Sequence, residues 1–226
     1  MRLPELRSEL ARYAKKMYES QLVQATQGNV SVRDPESSLI CITPSGADYQ
    51  LLTAEDIVVV DENGTIVEGK WHPSVETPLH TLLLRRRRDI HCVMHTHSPY
   101  ATAFSLIHQP IPMFLAESAL CLGGEVPVAP YMMSGTAAFA EHIATHLGER
   151  AALIWGNHGA LVVGPILSLT FSIAHALEDC AKVYAIAKQL GTPVPLPDGE
   201  IEKLHTFWVN FYGQKALRDD HDTNKA

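Results

Sequence analysis

A three-layer α/β/α domain around a central, mainly antiparallel sheet is the architecture predicted for residues 1–217 of this chain. Three observations point to it. Apolar residues at helical spacing take turns along the chain with short β-branched runs, so helices and strands interleave instead of clustering. No repeat, low-complexity stretch or linker interrupts them. The 226 residues, 46% hydrophobic and 19% charged, suit one large domain with a substantial core and argue against a disordered chain.

The elements follow in order. Leu3, Leu6, Leu10, Tyr13, Ala14 and Met17 form the apolar stripe of an opening helix. The polar stretch Gln27-Gly28-Asn29-Val30-Ser31 leads into alternating residues, and Leu39 to Thr43 and Ile57 to Val60 read as strands. Asp61-Glu62-Asn63-Gly64 reads as a hairpin turn. Thr77-Pro78 is a helix start, with threonine as cap and proline at the first position, and that helix runs to about Arg87. The strand around His95 follows, and Ser98-Pro99 starts a helix through Leu106. Thr136 to Leu147 is helical, Ala151 to Trp155 and Ala160 to Val163 are strands, and Ile166 to Leu190 is a long alanine-rich helix. The Pro-rich stretch Thr192 to Pro197 connects it to a last helix, Asp198 to Tyr212; residues 218–226 read as a disordered polar tail.

Charge and cysteine usage narrow the setting. A net charge of -7 offers no general attraction to nucleic acid. Arg85 to Arg88, the one basic run, reads as a solvated helix terminus near a favourable dipole, with no partner implied. No apolar run reaches membrane-span length and the N-terminus lacks a signal-peptide core, so a cytoplasmic protein without membrane contact is expected. Cys41, Cys92, Cys121 and Cys180, widely separated in apolar contexts, read as buried free thiols.

The chemistry concentrates in His95-Thr96-His97. Side chains at i and i+2 of a strand project from one face, so these imidazoles make half of a divalent-metal site of the kind zinc prefers. With twelve histidines in the chain, a pair alone proves little. His158 supplies a third ligand from Trp155-Gly156-Asn157-His158-Gly159, where glycines allow a tight turn and close approach. Three histidines leave one position open, as in catalytic zinc sites.

Five segments in order carry a resemblance. They are Gln27-Gly28-Asn29-Val30-Ser31-Val32-Arg33, Thr43-Pro44-Ser45-Gly46, Pro73-Ser74-Val75-Glu76, His95-Thr96-His97 and Gly156-Asn157-His158-Gly159. On them the chain resembles the class II aldolase/adducin family. The resemblance implies that family's α/β/α subunit, commonly in a fourfold-symmetric homotetramer with active sites between neighbours. It implies one Zn2+ per subunit, replaceable by Mn2+ or Co2+, on His95, His97 and His158. Glu76, at the family's base position, would be the catalytic base and a fourth ligand that moves aside for substrate. Cleaving a carbon–carbon bond beside a ketone leaves an enediolate, which calls for a Lewis acid and for a base at the neighbouring carbon.

The same likeness extends to the substrate. Gly28, Asn29, Ser45 and Gly46 lie in loops that are ordinary turns singly but, matched together, read as an anion nest for a sugar phosphate, with the Ser74 hydroxyl added. Val75 stands where such aldolases often carry a second hydroxyl, which removes one hydrogen bond. Fuculose-phosphate aldolase has a tyrosine in the segment matching Phe114-Leu115-Ala116-Glu117; here Glu117 is the substitute acid, offered across a subunit interface. Tyr212, in Phe211-Tyr212-Gly213, matches the tail tyrosine that donates a proton to the aldehyde oxygen. The expected activity is reversible cleavage of a ketose 1-phosphate, fuculose 1-phosphate or a related deoxy- or thio-sugar phosphate, to dihydroxyacetone phosphate and an aldehyde. The alternatives are a pentulose 5-phosphate 4-epimerase, disfavoured because those usually carry aspartate where Glu76 stands, a decarboxylase or dehydratase, and, remotely, a non-catalytic adducin-like assembly protein.

Overall fold

A computed structural model describes residues 1–211. In chain order its elements are α1 (Pro4–Glu19), β1 (Asn29–Arg33), β2 (Ile40–Ile42), β3 (Val58–Val60), β4 (Ile66–Glu68), α2 (Thr77–Arg86), β5 (Cys92–Thr96), α3 (Pro99–Ile107), α4 (Ala116–Leu122), β6 (Val128–Ala129), α5 (Ala137–Leu147), β7 (Ala152–Trp155), β8 (Gly159–Gly164), α6 (Leu167–Leu190) and α7 (Glu200–Phe211). Tyr212 and the expected 218–226 tail lie outside the described residues.

All eight strands join one sheet in the order β4-β3-β2-β1-β5-β8-β7-β6. Every neighbouring pair is antiparallel except β6 and β7. Strand parity divides the core. Cys92 and Met94 face a cluster with Leu10, Met17, Phe104, Ile173 and Leu177, whereas Val93 faces one with Leu79, Leu83, Phe139 and Ile143. The layers are therefore α1, α3, α4 and α6 on one side and α2 and α5 on the other. Strand β5 is central, between β1 and β8, and all five of its residues are buried. His95 shares the parity of Val93, so it points towards the α2 and α5 side.

Several expectations are adjusted. Glu76, not Thr77, is the N-cap of α2, because the Thr77 hydroxyl turns back to donate to the Ser74 carbonyl at 2.6 Å. The 61–64 turn joins β3 to β4 as expected, with Gly64 at φ 85. Helix α4 and strand β6 are additional elements: α4 is seven residues, too short for a periodic signal, and β6 is two residues flanked by Pro127 and Pro130. The arginine run is more engaged than a solvated terminus. Arg85 donates to the Glu62 carbonyl, Arg86 pairs with Glu141 on α5, Arg87 with Asp89 and Arg88 with Glu62, so each arginine has a partner in a neighbouring loop or helix. All four cysteines are free and buried. Among the described residues, no helix is long and apolar enough to cross a membrane.

Candidate metal centre

The three histidines reach one point from three backbone positions. His95 occupies the end of the central strand, its neighbours Asn29 on β1 and Leu161 on β8. His97 lies just past that strand, where its N–H donates to the Leu22 carbonyl at 2.8 Å and keeps the chain extended enough to repeat the parity of His95. His158 closes the β7–β8 hairpin, its N–H bonded to the Trp155 carbonyl.

Glycine acts in this hairpin differently from the sequence expectation. The left-handed residue of the turn is Asn157, at φ 57, a conformation asparagine tolerates. Gly156 and Gly159 are needed for close approach instead. A Cβ at Gly159 would sit 2.4 Å from the Thr96 carbonyl oxygen and 3.0 Å from His95 Cε1, and one at Gly156 would meet the His108 ring at 2.9 Å. Gly28 has both needs, with φ 72 and a would-be Cβ 2.6 Å from the His95 carbonyl oxygen. The strand carrying His95 is thus flanked by backbone on both sides.

His97 Nε2 lies 2.8 Å and His158 Nε2 3.2 Å from His95 Nε2. The ligand atoms of all three lie within 4.8 Å of one another. His95 Nδ1 is 2.9 Å from the Ala160 carbonyl, which can only accept, so Nδ1 carries the proton and the Nε2 lone pair faces inward. Burial pushes His95 and His97 down to about 3 and also lowers His158, so the imidazoles are neutral at neutral pH. With the His95 lone pair turned towards the other two Nε2 atoms, this neutral nitrogen set suits a divalent transition metal. The residues fit such an ion. Trp155 walls the cluster, its ring 4.3 Å from His95 and 4.8 Å from His158.

Glu76 stands beside this cluster. Its Oε1 is 3.9 Å from His95 Nε2 and 3.8 Å from His158 Nε2, while Oε2 accepts from Asn29 Nδ2 at 2.8 Å. Burial raises the carboxyl above its ordinary range, against the Asn29 hydrogen bond and the nearby His158. A buried carboxylate with elevated proton affinity, one oxygen tethered and the other towards the metal-binding nitrogens, can take and return a proton there.

The expected phosphate loops converge, with one change of roles. An isolated bridge between Pro44 and Pro73 brings the Ser45-Gly46 turn beside Ser74. That bridge occupies backbone donors: Ser45 N–H goes to the His72 carbonyl and Ser74 N–H to the Thr43 carbonyl. The nest expected at Ser45 is therefore reduced to the two serine hydroxyls and the Gly46 N–H. Asn29 is likewise engaged with Glu76, its Oδ1 being buried without a hydrogen-bond partner.

Glu117 is not brought to this cluster within the subunit. It is exposed in the first turn of α4 and lines a cleft with Phe171, His175 and Asp179 of α6. Sequence reasoning missed Trp155, whose place in the His158 segment was the available signal, and His80. His80 lies one helical turn after Glu76, fully buried, with Nδ1 2.7 Å from the Ser31 hydroxyl.

Comparison with known proteins gives a consistent result. Residues 8–185 match the family described as Class II Aldolase and Adducin N-terminal domain. A 5-deoxy-D-ribulose 1-phosphate aldolase from Bacillus thuringiensis serovar kurstaki is 35% identical over 215 residues, covering 95% of this chain and 100% of that one. An L-fuculose phosphate aldolase from Escherichia coli O6:H1 is 38% identical over 191 residues, 82% of this chain and 87% of its own. The solved structure of an L-fuculose 1-phosphate aldolase superposes with a TM-score of 0.87 at 38% identity, covering 91% of this chain and 96% of that one.

Proposed function

The chain belongs to the class II aldolase and adducin family, and from that premise we propose that it is a metal-dependent aldolase. It cleaves a ketose 1-phosphate reversibly into dihydroxyacetone phosphate and an aldehyde. The observation that carries the reading is the convergence of His95, His97 and His158 Nε2 with the tethered Glu76 carboxylate at its edge. His95, His97 and His158 hold the ion, zinc in the first instance. A bound divalent ion supplies Lewis-acid polarisation of the substrate's carbonyl and hydroxyl oxygens.

The remaining steps fall to the chain. In the synthetic direction Glu76 removes a proton from the hydroxymethyl carbon of dihydroxyacetone phosphate; in cleavage it returns that proton after the carbon–carbon bond has broken. Asn29 holds one oxygen of Glu76, so the other keeps its aim during exchange. Ser45, Gly46, Ser74 and Gly28 receive the phosphate. Tyr212 exchanges a proton with the aldehyde oxygen, and Glu117 meets a neighbouring subunit's site in a homotetramer.

A 5-deoxypentulose 1-phosphate is the favoured substrate, its aldehyde product a two-carbon, methyl-ended one. Support comes from the full-length likeness to an aldolase so named and from the loop between β6 and α5. That loop, residues 130–136, lays the Tyr131 backbone beside Gly156 of the β7–β8 hairpin and Gly135 beside the Val75 carbonyl. It presents Tyr131, Met132 and Met133 outward with Val75, an apolar rim suited to an aldehyde end without hydroxyls.

A panel of ketose 1- and 5-phosphates with the metal-loaded protein tests this, following dihydroxyacetone phosphate release. Release is expected from 1-phosphates, fastest from the 5-deoxypentulose. Formation of a 4-epimer from a pentulose 5-phosphate, with no release from any 1-phosphate, would replace the aldolase by the epimerase.

A further inference from the structure

Helix α3 starts two residues after His97, and its other end abuts the hairpin bearing His158. Its first turn is held from a distance. Pro99 has no N–H, and the hydroxyl of the N-cap Ser98 makes no capping bond and is buried without a partner. The Tyr100 and Ala101 N–H groups donate instead to Glu178 of α6, to Oε1 and Oε2 at 2.9 Å each. Thr102 N–H closes on the Ser98 carbonyl, so every backbone N–H of this turn is satisfied, two of them by one carboxylate against the positive end of the helix.

The far end is pinned as firmly. His108, the left-handed C-cap, places Nε2 2.7 Å from Asn157 Oδ1, and the Asn157 N–H donates to the Ser105 carbonyl at 3.1 Å. Gly156 packs against the His108 ring. One nine-residue helix thus joins the backbone of His97 to the turn of His158.

We infer that Glu178 is a positioning residue of the metal centre, setting the spacing of His97 and His158 through α3 while touching neither. The inference rests on the metal-binding reading above. Without the two Glu178 bonds the first turn of α3 frays, and the His97 backbone is then held on its N-terminal side alone, by its N–H bond to the Leu22 carbonyl. Partners hydrogen-bonded directly to metal ligands are typically worth about 10- to 100-fold in metal affinity, and a residue acting through α3 falls at the low end of that range.

The test is Zn2+ titration of the apoprotein against a chromophoric chelator, for wild type, E178Q and E178A, with amide hydrogen exchange of the apo forms. E178Q, which keeps one acceptor oxygen, is expected to weaken Zn2+ binding about tenfold and E178A further. Exchange at Tyr100 and Ala101 should accelerate in both. A merely structural Glu178 would lower the melting temperature and leave the dissociation constant unchanged, and that result overturns the inference. Asn157→Gly, at an exposed side chain in the left-handed region, probes the opposite end should the Glu178 variants not fold. It should also weaken Zn2+ about tenfold, and unchanged affinity there overturns the inference equally. A wild-type protein that binds no Zn2+, Mn2+ or Co2+ removes the metal reading itself, a distinct outcome from wild-type binding that E178Q leaves intact.

Discussion

The Asn29 side-chain amide donates to Glu76 Oε2 at 2.8 Å, leaving Oε1 as the carboxylate oxygen that faces the histidine cluster. This one bond decides which oxygen of Glu76 is available for chemistry. Glu76→Gln keeps the shape and an acceptor for Asn29 but cannot take a proton. Turnover should fall by about 10²–10⁴-fold, with Zn2+ content and melting temperature near wild type. Turnover within a few-fold of wild type would remove Glu76 from the mechanism.

Metal removal separates the enzyme from an assembly protein of the same family. Chelation should abolish aldol cleavage, and Zn2+, Mn2+ or Co2+ should restore it. His158→Ala removes one of three nitrogens and should leave substoichiometric metal and negligible turnover. Cleavage that survives in demonstrably metal-free protein contradicts the reading.

Gly159 meets backbone, which cannot swing aside as a side chain can. Gly159→Ala places a methyl 2.4 Å from the Thr96 carbonyl oxygen, between β8 and β5. The variant should lose about 1–3 kcal/mol of stability and bind metal less tightly, because relief requires moving the strand that carries His95. Denaturant unfolding together with a metal titration checks both; a variant as stable as wild type would mean the strands are looser than described.

His80 makes stability pH-dependent. Burial, with a lesser contribution from nearby His95, depresses it from the ordinary histidine value of 6.5 to about 3. Between those values the unfolded chain binds a proton that the folded one refuses, so stability rises with pH. The contribution is full above pH 6.5 and is lost progressively as pH falls towards 3. His80→Asn, which can keep the contact with the Ser31 hydroxyl, should flatten the slope of unfolding free energy over that interval. An unchanged slope would show that other groups account for it.

The sequence was most informative where side-chain identity and strand parity suffice. His95 and His97 share a face because they are two apart, and His158 was marked by its segment. Positions set by tertiary hydrogen bonding were harder to read. Ser45 and Glu76 are examples: the Pro44–Pro73 bridge uses the N–H expected for phosphate, and the Thr77 hydroxyl bonds backwards, making Glu76 the cap. Short elements such as α4 and β6 offer too few residues for a period to register. The Glu178 bonds to α3 span 77 and 78 positions, beyond any local pattern.

Trp155 gives the molecule a built-in optical gauge. It is one of three tryptophans, is almost wholly buried, and its ring contacts two of the three imidazoles, tilted against His95 and edge-on to His158. Its emission should respond to what the histidines hold, with Co2+ quenching it and Zn2+ shifting it modestly, in proportion to occupancy. Trp155→Phe should remove that response while the other two tryptophans continue to emit, so occupancy can be followed in real time without labelling the protein.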